Sequence, residues 1–176
     1  MLRWLQNHPK LLEHAYSVTH ILFKKMDPFI DRVGYGRVNR FLHWGEAVSK
    51  KAVFDCRMCG QCILHSTGMT CPMTCPKNLR NGPCGGVRIN GHCEVIPEMK
   101  CVWLQAFERS TQMDKFGIEI QNIQPPVDWQ LEGDSAWINM LTEADKKTPT
   151  AWIDPADIYI NSEKSLWKEN SNLAAG

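Results

Sequence analysis

Eight cysteines lie between Cys56 and Cys101, and none falls elsewhere in the 176 residues. Their spacing is Cys56-x2-Cys59-x2-Cys62-x8-Cys71-x3-Cys75-x8-Cys84-x8-Cys93-x7-Cys101. A zinc site takes a Cys-x2-Cys pair from one loop and a second pair from elsewhere, because four ligands surround one ion. A third cysteine after two more residues suits a cubane better, since each thiolate then addresses a different iron. Bacterial ferredoxins begin with such a run and add a cysteine before proline. Here Cys71 and Cys75 precede Pro72 and Pro76. Eight thiols fit two 4Fe–4S clusters with none left over, and all eight are predicted metal ligands. Zinc, or one cluster plus zinc, is the alternative. Spacing groups Cys56, Cys59 and Cys62 but leaves five cysteines competing to be their fourth partner.

The residues between the cysteines suit an anionic group. Gly60, Gly82, Gly85 and Gly86 let backbone N–H groups approach sulfur closely, where they raise a reduction potential. Arg80 is a candidate for offsetting cluster charge, as are Arg57, Lys77 and Arg88. These four glycines and Arg80 are the predicted cofactor-binding set. His65 and His92 are weaker ligand candidates, because eight thiols already fill two sites. No catalytic residue stands out: Cys62 near His65 is too common a pairing to signal a nucleophile, and no Gly-rich phosphate loop follows a strand.

Composition narrows the classes further. Residues 1–101 hold fourteen Lys/Arg against seven Asp/Glu, and residues 102–176 hold six against twelve. Cations spread along half of a near-neutral chain do not make a phosphate-tracking surface, so no nucleic-acid partner is expected. No apolar run approaches the ~20 residues of a membrane span. The N-terminal residues lack the pattern of an export signal. A reducing cytoplasm is therefore expected, where clustered cysteines favour metal or redox chemistry over disulfides.

The elements that must position the thiols divide the chain into three: an N-terminal helical segment (1–54), a Cys-rich metal-cluster domain (55–113) and an extended acidic, Trp-bearing arm (114–176). In the first, Asn7 is the expected cap and Pro9 the first turn. Leu11, Leu12, Ala15, Val18, Leu22 and Met26 follow at helical spacing. Pro28, Gly34 and Gly36 predict a break over 27–36, and Val38, Phe41, Leu42, Val48 and Ala52 mark a second helix. Both apolar stripes call for a core or a partner. Residues 55–97 hold six of the twelve glycines and four of the ten prolines. Such irregular backbone needs a bound centre to organise it. A third helix is predicted from Pro97 to about Met113, carrying Cys101 in its first turns. Pro125 and Pro126 predict extended chain. Ser135 caps a short helix through Trp137, Met140 and Leu141, and another is expected near Pro155. The expected fold is mainly α around an irregular, metal-organised core, with little regular β.

Three ordered stretches resemble one family. They are Phe54-Asp55-Cys56-Arg57-Met58-Cys59-Gly60-Gln61-Cys62, then Cys71-Pro72-Met73-Thr74-Cys75-Pro76 continuing to Cys84-Gly85-Gly86, and Gly91-His92-Cys93-Glu94-Val95. Cys101-Val102-Trp103, Pro125-Pro126-Val127-Asp128-Trp129 and Ser135-Ala136-Trp137-Ile138-Asn139 extend the likeness. The sequence resembles the methylenetetrahydrofolate reductase C-terminal domain family, which includes the small iron–sulfur subunit of acetogen-type reductases. The resemblance implies a TIM-barrel flavoprotein partner that reduces methylene-tetrahydrofolate and carries FMN or FAD. A barrel of ~250 residues cannot form here, so the chain reads as a non-catalytic electron-transfer subunit of an oxidoreductase, its electron donor unknown. A structural zinc or mixed-metal subunit of that reductase, or an accessory subunit of another folate-linked demethylase or methyltransferase, are the rival readings.

Overall fold

Four α-helices form among the described residues, 3–147 of the computed structural model: α1 (Pro9–Val33), α2 (Tyr35–Phe54), α3 (Val102–Ser110) and α4 (Ala136–Leu141). No strand accompanies them among those residues, only an antiparallel bridge between His92 and Lys100. The mainly helical expectation holds. Residues Met1–Asp145 make up one unit; the second, from Lys146, lies almost wholly outside the described residues, as does the helix expected near Pro155.

α1 starts one residue later than the sequence suggests. His8 holds the cap position and its carbonyl accepts the N–H of Leu12, while Asn7 ends a preceding 3-10 turn. The predicted break at 27–36 shrinks to Gly34. Pro28 removes one backbone bond, but Ile30, 2% exposed, anchors the next turn and the helix continues through it. Gly34 stops it at φ +98°, a conformation open to glycine, with its N–H on the carbonyls of Ile30 and Asp31. The chain reverses there, and Gln6, just before α1, donates to the Val53 carbonyl at the far end of α2. α1 and α2 are therefore an antiparallel hairpin.

α4 wedges against the inner side of that hairpin. Trp137 stacks on Phe23 at 4.8 Å and on Tyr16 at 5.6 Å, and the Lys50 ammonium lies 5.5 Å from its ring centre. Ser135 occupies the predicted cap position, but its hydroxyl makes no capping bond. Asn39 of α2 instead fixes this end, accepting from the Ser135 N–H and donating to Asp134.

A buried carboxylate ties α1 to the segment after α3. Glu13, 3% exposed, accepts the N–H groups of Asp114, Lys115 and Phe116 at 2.8–2.9 Å. Burial opposes its ionised form, but the three bonds outweigh burial and hold the carboxyl below its usual range. Glu13→Ala is expected to cost about 2–3 kcal/mol by leaving those donors unpaired, read as a lowered midpoint in chemical denaturation. A depressed folded-state value adds stability above the unfolded carboxylate range. That contribution fades as pH falls through the depressed value, so the wild-type advantage over Glu13→Ala narrows in acid.

The third helix is shorter than predicted. It opens at Val102, with Cys101 as its cap residue rather than inside its first turns. Backbone bonds from Cys93 to Met99 and from Cys101 to Gly91 fold 91–101 into a tight loop instead. Those bonds occupy the groups that would have continued a helix back to Pro97.

Candidate metal centres

The cysteines of the leading run converge because the backbone between them turns left-handed repeatedly. Asp55, Met58 and Gly60 have φ of +56°, +52° and +74°. Asp55 ends α2, and the loop then coils so that Cys56, Cys59 and Cys62 face one cavity. Cys71 reaches the same cavity from the chain after the 3-10 turn Leu64–Thr67. The space they wall is about 30 Å³, two to three times the ~10–15 Å³ that a water needs on the same measure.

The other four thiols wall a second space of about 20 Å³: Cys75, Cys84, Cys93 and Cys101. The 91–101 loop bonds bring Cys93 and Cys101 together. Trp103 donates its indole N–H to the Leu79 carbonyl at 3.0 Å, holding α3 against the loop that follows Cys75. One 3-10 turn, Pro72–Thr74, separates the two groups. The competition left open by spacing thus divides four and four. All eight cysteines are free of disulfides.

Segment 127–139 closes the first cavity from outside. Gly133 donates to the Met58 carbonyl at 2.9 Å, Asn139 to the Gly60 carbonyl at 3.0 Å, and Asp128 to the Gln61 side chain at 2.8 Å. Gly60 makes this closure fit: a Cβ there would lie 2.1 Å from the Leu131 carbonyl oxygen. Gly60→Ala therefore combines a backbone collision with a left-handed φ. We expect it to cost on the order of 3 kcal/mol, measured as loss of metal content together with a lowered thermal midpoint.

Of the other predicted cofactor-binding residues, Arg80 lines the first cavity and Gly86 the second, whereas Gly82 and Gly85 line neither. His65 stacks on Tyr16 at 5.0 Å and stands 3.4 Å from Glu119, and His92 contacts the Pro97 carbonyl at 2.7 Å. Neither histidine lines a thiol cavity.

Arg80 is 8% exposed and spends one amino group on the Gln61 carbonyl at 3.0 Å. Its Nε and Nη1 are buried without a hydrogen-bond partner. Burial pulls its pKa down, and the Cys59 and Cys62 sulfurs push back. Opposite lies Lys50, ion-paired with Glu46 on α2. Burial alone would lower the Lys50 value, but the Cys62 sulfur and Glu46 raise it above the ordinary lysine range. Sequence reasoning did not find Lys50 or Glu46; at i, i+4 they read as an ordinary surface pair.

Buried donors with nothing to bond call for an anion. Four thiolates around a metal centre supply one, so this donor set fits a thiolate-ligated group. Among the described residues no three Cys, His, Asp or Glu side chains meet closely enough to hold a single ion as they stand. A tetrahedral zinc would draw its four sulfurs to about 2.3 Å of one point, and a cubane would hold them further apart.

Two thiols of the first cavity, Cys56 and Cys71, resist ionisation. Burial, then the neighbouring sulfurs, push Cys71 up to about 12. Burial is also the largest influence on Cys56, pushed up to about 11. At neutral pH both are protonated, and a metal must displace those protons. Reconstitution of the metal-free chain should therefore release protons into weak buffer and strengthen as pH rises. The metal-free fold itself should lose stability above about pH 8.5, where the unfolded thiols ionise first.

All eight cysteines fall within the stretch that one family describes. The model of the methylene-tetrahydrofolate reductase C-terminal region matches residues 35–130, from the start of α2 past the second cavity. No curated protein and no solved structure matches the chain. With more than half of its length matched, and the Cys-bearing motifs inside the match, the chain belongs to the methylene-tetrahydrofolate reductase C-terminal family.

Proposed function

We propose that this chain is an electron-transfer subunit holding two 4Fe–4S clusters and serving a flavin-dependent methylenetetrahydrofolate reductase. Cys56, Cys59, Cys62 and Cys71 would hold one cluster, and Cys75, Cys84, Cys93 and Cys101 the other. The observation that carries the reading is the division of eight thiols into two fours, each around its own cavity. When bound, such groups supply one-electron transfer at low potential, which suits delivery to a flavin that accepts electrons singly or in pairs.

The chain's own residues set the conditions. Arg80 and Lys50 place buried positive charge beside the first cavity, easing addition of an electron there. The Met58 N–H donates to the Cys56 sulfur at 3.3 Å, with the same effect. Segment 127–139 covers part of the Cys56–Cys62 loop through its bonds to Met58, Gly60 and Gln61. Family membership supports the link to methylenetetrahydrofolate reductase. The flavin and the folate chemistry belong to the partner. Anaerobic purification should give a brown protein with about eight iron and eight sulfide per chain, bleached by dithionite. A colourless protein with stoichiometric zinc would sink the reading.

A further inference from the structure

α1 is apolar on both sides. Its inward line sets Leu12, Phe23 and Ile30 among Glu13, Tyr16, His20 and Asp27, which make hydrogen bonds or ring stacks. Its outward line is apolar: Leu11, Val18, Leu22, Met26, Phe29 and Val33 are all exposed, Phe29 by 60%. These positions recur at 3.6-residue spacing within one narrow arc, spanning about 33 Å of helix. α2 repeats the arrangement with Phe41, Trp44 and Val48, exposed by 76%, 68% and 56%. An ordinary surface helix turns such a stripe toward the core. At half of a large side chain each, nine such residues offer on the order of 800 Å², what a standard interface takes from one partner.

Charge selects the kind of partner. Lys25 and Arg32 flank the stripe on α1, Arg37 and Lys51 flank it on α2, and all four are exposed. None joins an ion pair among the described residues. Asp27 and Asp31 lie on the other side of α1. A second copy of this chain would set cation against cation, which disfavours self-association. Position adds a reason for a redox protein. Glu46 and Lys50 line the first thiol cavity, while Trp44 and Val48, two positions away in the helix, point to the opposite side of α2. A protein seated on Trp44 stands one helix thickness, about 10–12 Å, from that cavity.

We infer that the outer face of the α1–α2 hairpin is the docking surface for a partner protein whose apolar patch is rimmed by Asp and Glu. The inference rests on the proposed function only in taking that partner to be the flavoprotein. The test is a hydroxyl-radical footprint of the native complex, isolated anaerobically from source cells with its partner identified by mass, against the full chain alone. Oxidation of Met26, Phe29, Phe41 and Trp44 is expected to fall on the order of tenfold in the complex. The double variant Arg37→Glu/Lys51→Glu should keep its metal content and bind the isolated partner more weakly, again by on the order of tenfold.

Unchanged oxidation in the complex overturns the inference, and so does the absence of any protein partner. Dimerisation of the chain alone does so too, as does protection already present in the isolated chain and lost on deleting residues 148–176. Capture of the same face by phosphatidylglycerol vesicles in place of a protein would assign it to a membrane surface. A protected face beneath a partner without flavin upholds this inference and overturns the proposed function instead.

Discussion

Cys71→Ala and Cys75→Ala, four residues apart, should each remove a different metal centre. Each variant is expected to retain about four iron and four sulfide per chain. Dithionite-reduced samples should each show one of two distinguishable EPR signals. The reason is the division of walls: Cys71 faces the space shared with Cys56, Cys59 and Cys62, and Cys75 the space shared with Cys84, Cys93 and Cys101. Cys56→Ala should reproduce the spectrum of the first variant and Cys101→Ala that of the second. Stability should fall steeply in both, because residues 55–97 carry no regular structure beyond short 3-10 turns and depend on what the thiols bind. Loss of the same signal from Cys71→Ala and Cys75→Ala would refute the four-and-four division.

Arg80→Met should act with opposite sign on the metal-free and the loaded protein. In the metal-free fold the buried Nε and Nη1 have no partner. Replacing them with an apolar side chain of similar length removes a penalty of about 1–3 kcal/mol and should raise the denaturation midpoint. In the loaded protein the same change deletes a positive charge beside the first group of thiolates. Reduction there adds negative charge, so the potential should fall by about 60–120 mV, at 59 mV per tenfold for one electron. Thermal stability should fall with it. Paired melts of loaded and metal-free protein, with a redox titration, provide the readout. If the variant destabilises both forms alike, Arg80 is a strut for the Gln61 carbonyl and not a counter-charge.

Periodicity revealed the two long helices and their apolar lines, because residues spaced by 3.6 share a face whatever surrounds them. It said nothing about which way that face points. Of the stripe that the sequence shows, Leu11, Val18, Leu22 and Met26 turn outward, while Leu12 packs on the core beside Glu13 and Tyr16, which find their partners within. The break expected at Pro28 did not form, because the burial of Ile30 beyond it is a tertiary fact. Cys101 was legible as lying beside a helix start but not as the cap, which depends on loop bonds to Gly91.

The site divides in the same way. The types and number of its thiols were legible, and their family likeness with them. The identity of Cys71 as the fourth wall was not, since it depends on how 63–70 folds under α3 and the 117–121 turn. Arg80 was legible as a cation near thiols. Its burial and its unmatched donors arise only from packing. Lys50 and Glu46 gave no local signal at all, being set beside the cavity from positions six and ten residues before Cys56 on α2.

The turn Pro72–Thr74 is closed by its own backbone bonds, from Thr74 to the Cys71 carbonyl and from Cys75 to the Pro72 carbonyl. Even fully extended, four residues reach about 14 Å, and a closed turn spans less. The interval between the two thiol groups is thus written into covalent chain rather than into packing. In the proposed electron-transfer subunit, docking, tilting of the helical hairpin or loosening of the arm would change how electrons enter or leave. None of these would stretch the middle step, so any control over the current would be exerted at its ends.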